Sequence, residues 1–296
     1  MRDWALKASE DELKIGVAGY LPADWRKIDA AATRRVREAG FSGAHIFVDR
    51  PLQAELSEFE RVKAAYDEAG LVVAQTNGWY ECLINPDEAT RAEGIKGLSQ
   101  LVRIGRTLDS RFTYVRPGSI NPNGHWWPHP ENHAPQTFDR LVNSLKQVCR
   151  VAEAEGVLLG VEGHVVSTLD TPQRVRDLLD AVGSPALKFN MDPVNFVGTV
   201  RDVHDTTRIV NALFDTLGRD MVALHAKDCA IQDAHVVHIV EVIPCTGSMN
   251  YELLMRRWVE CCPDGYFLIE HLPDDKVLVA LEAIRRKADA LGIRLE

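Results

Sequence analysis

The sequence has 296 residues, of which 46% are hydrophobic and 26% are charged, and its formal net charge is −9. This length suffices for one α/β barrel, which typically needs about 250 residues, and the acidic balance disfavours a protein that mainly binds nucleic-acid phosphates. Because the six cysteines include no CxxC pair and no run approaches the roughly 18 apolar residues of a membrane span, we expect a cytoplasmic protein that binds a small polar molecule and neither nucleic acid nor membrane.

The first predicted elements are a strand at residues 14–20, after an N-terminal extension of residues 1–13, and a helix at 24–39. A helix ends in a short junction of Ala, Glu and Gly before an apolar strand three times, as Glu-Ala-Gly at Gly40 and Gly70 and as Ala-Glu-Gly at Gly156. Glycine is favoured at this point because it adopts the left-handed conformation that closes many helices. The repeated junction therefore indicates a repeated helix–strand unit.

The later segments continue the alternation, with predicted strands at 71–79 and 112–119 on either side of a helical region at 86–108. A further helix has Thr171 as its predicted N-cap and Gly183 at its end. In total the sequence contains about eight strand–helix units. Their strands are apolar, which indicates a parallel sheet covered by helices. An open dinucleotide-binding sheet usually carries a G-x-G-x-x-G motif after its first strand. This sequence has no such motif there. We therefore expect one domain over residues 1–296, a closed (β/α)8 TIM barrel with an enlarged loop after the fourth strand and an insertion between strands 7 and 8.

Four of the apolar strands end in a side chain that can bind a metal: Glu162, Asp192, His225 and Glu270. Each is separated from the next by about one strand–helix unit, and the last interval is longer. A carboxylate at the end of an apolar run is costly to bury unless it is paired or coordinated. One such residue alone is explained as well by a helix cap or an arginine contact. Because the carboxyl ends of barrel strands converge at one mouth, the set of four predicts a metal site.

Five motifs resemble the xylose isomerase-like TIM-barrel superfamily of sugar and sugar-phosphate isomerases, epimerases and related enzymes. They are EGH at 162–164, MDPVN at 191–195, HAKD at 225–228, the later PCTGSMNY, and IEH at 269–271. The resemblance implies that Glu162, Asp192, His225 and Glu270 bind one divalent ion, with Mn²⁺ favoured and Mg²⁺ or Co²⁺ as alternatives. It also implies that Glu162 and Glu270 act as acid and base. The residues themselves agree, because three carboxylates and one imidazole suit Mn²⁺ or Mg²⁺ better than a closed structural Zn²⁺ site.

The predicted activity is a metal-dependent sugar isomerase or epimerase that transfers a proton through an enediolate of a keto sugar or polyol-derived ketone. The similar ketose 3-epimerases usually carry Glu and His where this sequence has Thr168 and Asn195. A lyase or dehydratase, similar to inosose dehydratase or to the C-glycoside-cleaving catalytic subunits, is therefore the main alternative. A catalytically silent sugar-binding barrel is a third hypothesis, and a homo-oligomer or a second subunit is left open.

The sequence also suggests residues around the metal. His164 is a candidate proton carrier or substrate contact, because it lies two residues after Glu162 and shares its face if the strand continues. Segment 124–133, GHWWPHPENH, is interpreted either as a sugar-stacking wall or as an apolar plug or subunit contact. Asp233-Ala234-His235 resembles a metal-binding motif of the endonuclease IV branch, but the acidic charge favours a site-lining role. The predicted substrate contacts are Trp79, Arg116, His125, Trp126, Trp127, Asn195, Lys227 and His235, with an ion pair between Lys227 and Asp228 as the simpler role for that lysine.

Overall fold

The computed structural model describes residues 11–296 and shows a closed barrel of eight parallel strands surrounded by helices. The barrel strands, in the order in which they pair, are β1 Glu12–Val17, β2 Gly43–Val48, β3 Val72–Gly78, β4 Thr113–Val115, β5 Leu159–Val161, β6 Leu187–Met191, β7 Met221–Ala226 and β10 Tyr266–Ile269. The barrel closes where β10 pairs with β1, with Val17 opposite Ile269. The predicted closed (β/α)8 fold is confirmed.

Three further strands lie outside the closed barrel. An antiparallel hairpin, β8 Asp228–Gln232 and β9 His238–Val242, follows β7, and β11 Arg294–Leu295 pairs with the start of β1. The helices are α1 Ala30–Glu38, α2 Glu58–Glu68, α3 Glu88–Thr107, α4 Pro135–Glu155, α5 Pro172–Val182, α6 Val200–His204, α7 Thr206–Leu217, α8 Tyr251–Cys261 and α9 Asp274–Leu291. None of the helices in residues 11–296 is both long enough and apolar enough to cross a membrane.

Several helix boundaries follow from local chemistry. The side chain of Thr171 accepts a hydrogen bond from the backbone N–H of Arg174, and Gly183 ends α5 in the left-handed conformation, as predicted. The helix predicted at 24–39 begins only at Ala30, because the side chain of Asp29 caps that turn and the preceding Trp25–Lys27 segment is a separate 3-10 turn. Strand β1 begins at Glu12, inside the extension predicted at 1–13, and residues 1–10 of that extension lie outside the described residues.

A buried cluster of hydrophobic side chains lies inside the barrel. Its members are Ala74, Phe112, Tyr114, Ala223, Tyr266 and Leu268. Two strand glycines make room for the large rings, since a Cβ on Gly43 would lie 2.4 Å from the Tyr266 ring and one on Gly160 would lie 2.6 Å from the Phe112 ring. Because these side chains fill the interior, a ligand is expected at the carboxyl ends of the strands, where the sites of this fold lie.

Candidate active site

The four predicted metal ligands meet at the carboxyl ends of the barrel strands. Glu162, Asp192 and Glu270 directly follow β5, β6 and β10, and His225 is the penultimate residue of β7. One potential ligand atom from each of these residues lies within 4.8 Å of the others. All four are buried, Asp192 completely. The convergence expected from their places in the sequence is therefore present.

His225 is held from two directions. Its Nδ1 lies 3.0 Å from Glu270 Oε1 and 3.6 Å from Glu162 Oε1, while its Nε2 lies 2.9 Å from the side-chain oxygen of Gln75. Since that amide oxygen can only accept a hydrogen bond, Nε2 carries a proton and Nδ1 faces the carboxylates. Burial opposes a charge on the imidazole, but Glu270 and Glu162 outweigh it and raise the pKa of His225 to about 10.

The two glutamates have different surroundings. Both oxygens of Glu162 accept hydrogen bonds, Oε1 from Asn195 at 2.6 Å and Oε2 from the Tyr114 hydroxyl. The Glu270 contacts among the described residues involve Oε1. Burial raises the pKa of Glu162, whereas His225 and Lys227 overcome the effect of burial at Glu270 and hold its pKa well below the usual range.

Lys227 connects two of the carboxylates. Its Nζ lies 2.7 Å from Asp192 Oδ2 and 2.7 Å from Glu270 Oε1, and these neighbours outweigh burial and raise the pKa of the lysine well above its usual value. The predicted pairing with Asp228 is wrong. The side chain of Asp228 instead accepts backbone hydrogen bonds from Cys229, Gly247 and Met249, because the chain folds back over it in the segment that precedes α8.

This donor set fits a divalent cation. Three buried carboxylates face one ammonium group, and Asp192 Oδ2 is buried without a hydrogen bond of acceptable geometry although Lys227 is close. Buried carboxylate oxygens normally have partners, and such an atom is expected where a cation binds. Oxygen ligands with one imidazole suit Mn²⁺ or Mg²⁺. Glu162, Asp192, His225 and Glu270 could therefore hold one such ion.

His164 and Trp126 lie on one side of the mouth. The condition that would place His164 on the strand face of Glu162 is not met, because β5 ends at Val161 and His164 lies in the loop that follows. Its Nδ1 accepts the backbone N–H of Val166, which leaves the proton of the neutral ring on Nε2, and burial lowers its pKa. The Trp126 ring contacts His164 edge-on at 5.9 Å and packs against the apolar cluster inside the barrel.

Three further predicted contacts form a second group. Trp79 and His125 stack at 4.9 Å, and the guanidinium of Arg116 lies 5.0 Å from the Trp79 ring centre. Two predicted residues are more peripheral. Trp127 is 55% exposed. His235 is exposed between β8 and β9. Within residues 11–296 it forms no hydrogen bond or ion pair with any of the four predicted metal ligands.

Three polar residues near the cluster were not among the predicted site residues: Gln75, Tyr114 and His45. Gln75 and Tyr114 are polar residues inside apolar strands, and the two-residue period of a strand places them on the face that points into the barrel, which is a usable signal. His45 Nδ1 accepts the backbone N–H of Gly19, and burial lowers the pKa of His45 to about 4. Nothing in the local sequence distinguishes His45 from an ordinary packed histidine.

Comparisons with known proteins agree with this architecture. The family model described as xylose isomerase-like TIM barrel matches residues 33–287, and no curated protein matches the chain. The chain is similar to 3-keto-D-glucoside 4-epimerase from E. coli, with 18% identity, a TM-score of 0.69 and coverage of 93% of this chain and 100% of that chain. It is also similar to a probable 3-DHS dehydratase from Bacillus anthracis, with 16% identity, a TM-score of 0.69 and coverage of 92% and 98%. A protein from Mycobacterium smegmatis solved in complex with magnesium gives 16% identity, a TM-score of 0.73 and coverage of 95% and 97%. At these identities the likeness shows the fold.

Proposed function

The chain belongs to the xylose isomerase-like TIM barrel family, and we propose that it is a divalent-metal-dependent isomerase or epimerase of a keto sugar or polyol-derived ketone. The observation that carries this proposal is the meeting of Glu162, Asp192, His225 and Glu270 within 4.8 Å at the barrel mouth. A buried set of three carboxylates and one imidazole, at the end where ligands enter barrels of this type, suits chemistry on a polyhydroxylated substrate.

The same four residues would hold the ion, with Mn²⁺ favoured over Mg²⁺ and Co²⁺. When bound, the ion would supply positive charge for the carbonyl oxygen and a neighbouring hydroxyl of the substrate. Lys227 holds Asp192 and Glu270 in fixed positions through its two contacts of 2.7 Å. Gln75 fixes the ring of His225, so that Nδ1 remains directed at the carboxylates.

Glu270 is the proposed base. Its Oε2 has no hydrogen-bond or ion-pair partner among residues 11–296, while Lys227 and His225 favour the ionised form. It would remove a proton from the carbon next to the carbonyl. Glu162, whose pKa burial raises, would return a proton to another carbon or to the other face. Tyr114 and Asn195 orient Glu162 for this transfer.

A lyase or dehydratase is the second candidate. It would use the same proton removal, followed by loss of a substituent from the β carbon. The observation that favours it is Asn195, which occupies the position where similar ketose 3-epimerases usually carry His and donates its amide to Glu162. The position of the epimerase Glu is taken by Thr168, whose buried hydroxyl has no hydrogen-bond partner among residues 11–296. The substrate hydroxyls must therefore be bound differently than in those epimerases.

Deuterium uptake tests the proposal. With Mn²⁺-loaded protein in D₂O, a panel of keto sugars such as D-fructose and D-tagatose should include one that gains deuterium at the carbon next to the carbonyl, because a carboxylate base usually exchanges its proton with solvent. Glu270→Gln should slow this exchange about 10²- to 10⁴-fold at equal metal occupancy, and the exposed helix variant Glu282→Gln should not. Turnover without deuterium uptake would instead indicate hydride transfer.

A further inference from the structure

Arg116 is a buried arginine at the edge of the barrel mouth. It directly follows β4 and lies two residues after Tyr114, whose hydroxyl contacts Glu162. Its guanidinium donates to the carbonyl oxygens of Gly78 at 3.1 Å and Tyr80 at 2.6 Å, and lies 4.1 Å from the Tyr80 ring centre. The residue is only 7% exposed. Arg116 is therefore held firmly at the end of β3.

The charge of Arg116 lacks an anionic partner. No carboxylate among residues 11–296 forms an ion pair with it, and its Nε is buried without a hydrogen bond. Removing a guanidinium from water is costly unless an anion compensates it, and two carbonyl dipoles with ring faces compensate only part of that cost. Arg34, on the surface of this acidic protein, pairs with Glu68 at 3.1 Å. The burial of the Arg116 charge without a carboxylate among the described residues therefore requires an explanation.

His125 provides a second unpartnered nitrogen beside the same tryptophan. Its ring stacks on Trp79 at 4.9 Å with an angle of 15° between the planes, and its Nδ1 is buried without a hydrogen bond to any described residue. Burial, and then the charge of Arg116, lower the pKa of His125 to about 4. His125 and Arg116 both contact the Trp79 ring, at 4.9 Å and 5.0 Å from its centre. A guanidinium and a neutral imidazole can each donate a hydrogen bond.

We propose that Arg116 and His125 bind a carboxylate of the substrate, so that the enzyme acts on a keto sugar acid. This inference rests on the proposed function, since it names the substrate class of the same site. An arginine fork matches a carboxylate in geometry and charge. A phosphate dianion fits less well, because Arg116 supplies a single positive charge.

A purely structural role for Arg116 makes a different prediction. An arginine that only ties the end of β3 to β4 explains the bonds to Gly78 and Tyr80, and binding of sugars would then be indifferent to their charge. It leaves the unpartnered Nδ1 of His125 unexplained. The two roles are separated by matched ligands that differ only in a carboxylate.

The test compares D-fructuronate with D-fructose and D-tagaturonate with D-tagatose by calorimetry on the Mn²⁺-loaded protein. At least one acid should bind about 10- to 100-fold more tightly than its neutral partner, and Arg116→Gln should abolish that preference. Arg174→Gln is the matched control, because Arg174 also lies over an aromatic ring, that of Phe138, but outside the site. It should keep the preference. Calorimetry reports binding and not deuterium exchange, so the comparison of acid and neutral sugar stands whether or not exchange is seen.

Three results would overturn the carboxylate site. They are equal affinity for acid and neutral sugar in the wild type, a preference that persists in Arg116→Gln, and tighter binding of D-fructose 6-phosphate than of D-fructuronate. If Arg116→Gln does not fold, His125→Gln and the wild-type protein still decide the question. The Arg116 Nε resonance and the pKa of His125, about 4 in the free protein, should shift with D-fructuronate and not with D-fructose.

Discussion

Gln75 and His225 lie 150 residues apart in sequence, yet the side-chain oxygen of Gln75 is 2.9 Å from His225 Nε2 inside the barrel. This contact selects the proton position of the imidazole and leaves Nδ1 for a metal ion. Partners of this kind are often as important for metal affinity as the ligands themselves.

Gln75→Met should therefore weaken Mn²⁺ binding about 10- to 100-fold, because the buried Nε2–H loses its acceptor and the ring its orientation. A competition titration with a fluorescent chelator measures the dissociation constant. Gln173→Met, on the exposed side of α5, is the control. An unchanged dissociation constant in Gln75→Met would mean that Gln75 only packs beside the ring.

Metal content tests the ligand set. The purified protein should hold about one divalent ion per chain, and Asp192→Ala and His225→Ala should each lose it, because each removes one of four converging donors. Asp233→Ala and His235→Ala, in the exposed turn of the hairpin, should keep it. Elemental analysis of refolded, equally treated samples decides. Full occupancy in both of the first two variants would exclude this cluster as the metal site.

Trp126 should matter more for substrate binding than Trp127. Trp126 packs against the barrel interior and touches His164, whereas Trp127 is 55% exposed and donates its indole N–H to the carbonyl of Asn123. Trp126→Ala should raise KM about tenfold or more, and Tm should change little because Trp126 lies in a loop and is only partly buried. Trp127→Ala is the comparison. A large fall in Tm with unchanged kinetics in Trp126→Ala would favour the apolar plug.

Asp220 should stabilise the amino-terminal side of the barrel in a pH-dependent way. Burial raises its pKa, but hydrogen bonds from Arg176 at 2.6 Å and Lys188 at 3.0 Å outweigh burial, so the folded-state pKa lies below the usual 3.8. The contribution is therefore present above the unfolded-state pKa and lost as pH falls through the folded-state value. Asp220→Asn should lower the free energy of unfolding by about 1 kcal/mol at neutral pH.

The difference between wild type and Asp220→Asn should shrink below about pH 4, where the carboxylate becomes protonated. Urea unfolding at several pH values measures it. Asp264→Asn removes a carboxylate whose side chain is 93% exposed beside Lys14, and it should have little effect at any pH. A difference for Asp220→Asn that does not vary with pH would mean that packing, and not charge, is responsible.

Local patterns in the sequence determined the barrel and the set of candidate metal ligands. Strand length, helix periodicity and end signals such as Thr171 and Gly183 act over a few residues. Because parallel strands bring their carboxyl ends to one mouth, Glu162, Asp192, His225 and Glu270 were predictable as a set.

Only the tertiary structure decided which side chains meet across the barrel. Lys227 pairs with Asp192 and Glu270 instead of its neighbour Asp228, and Gln75, Tyr114 and Asn195 reach the ligands from other strands and loops. Arg116 likewise lies buried and forms no ion pair with a carboxylate in the described part of the chain. These contacts depend on the tilt and stagger of the strands and on the path of the loops, which set distances between residues far apart in the chain and leave no local trace in the sequence.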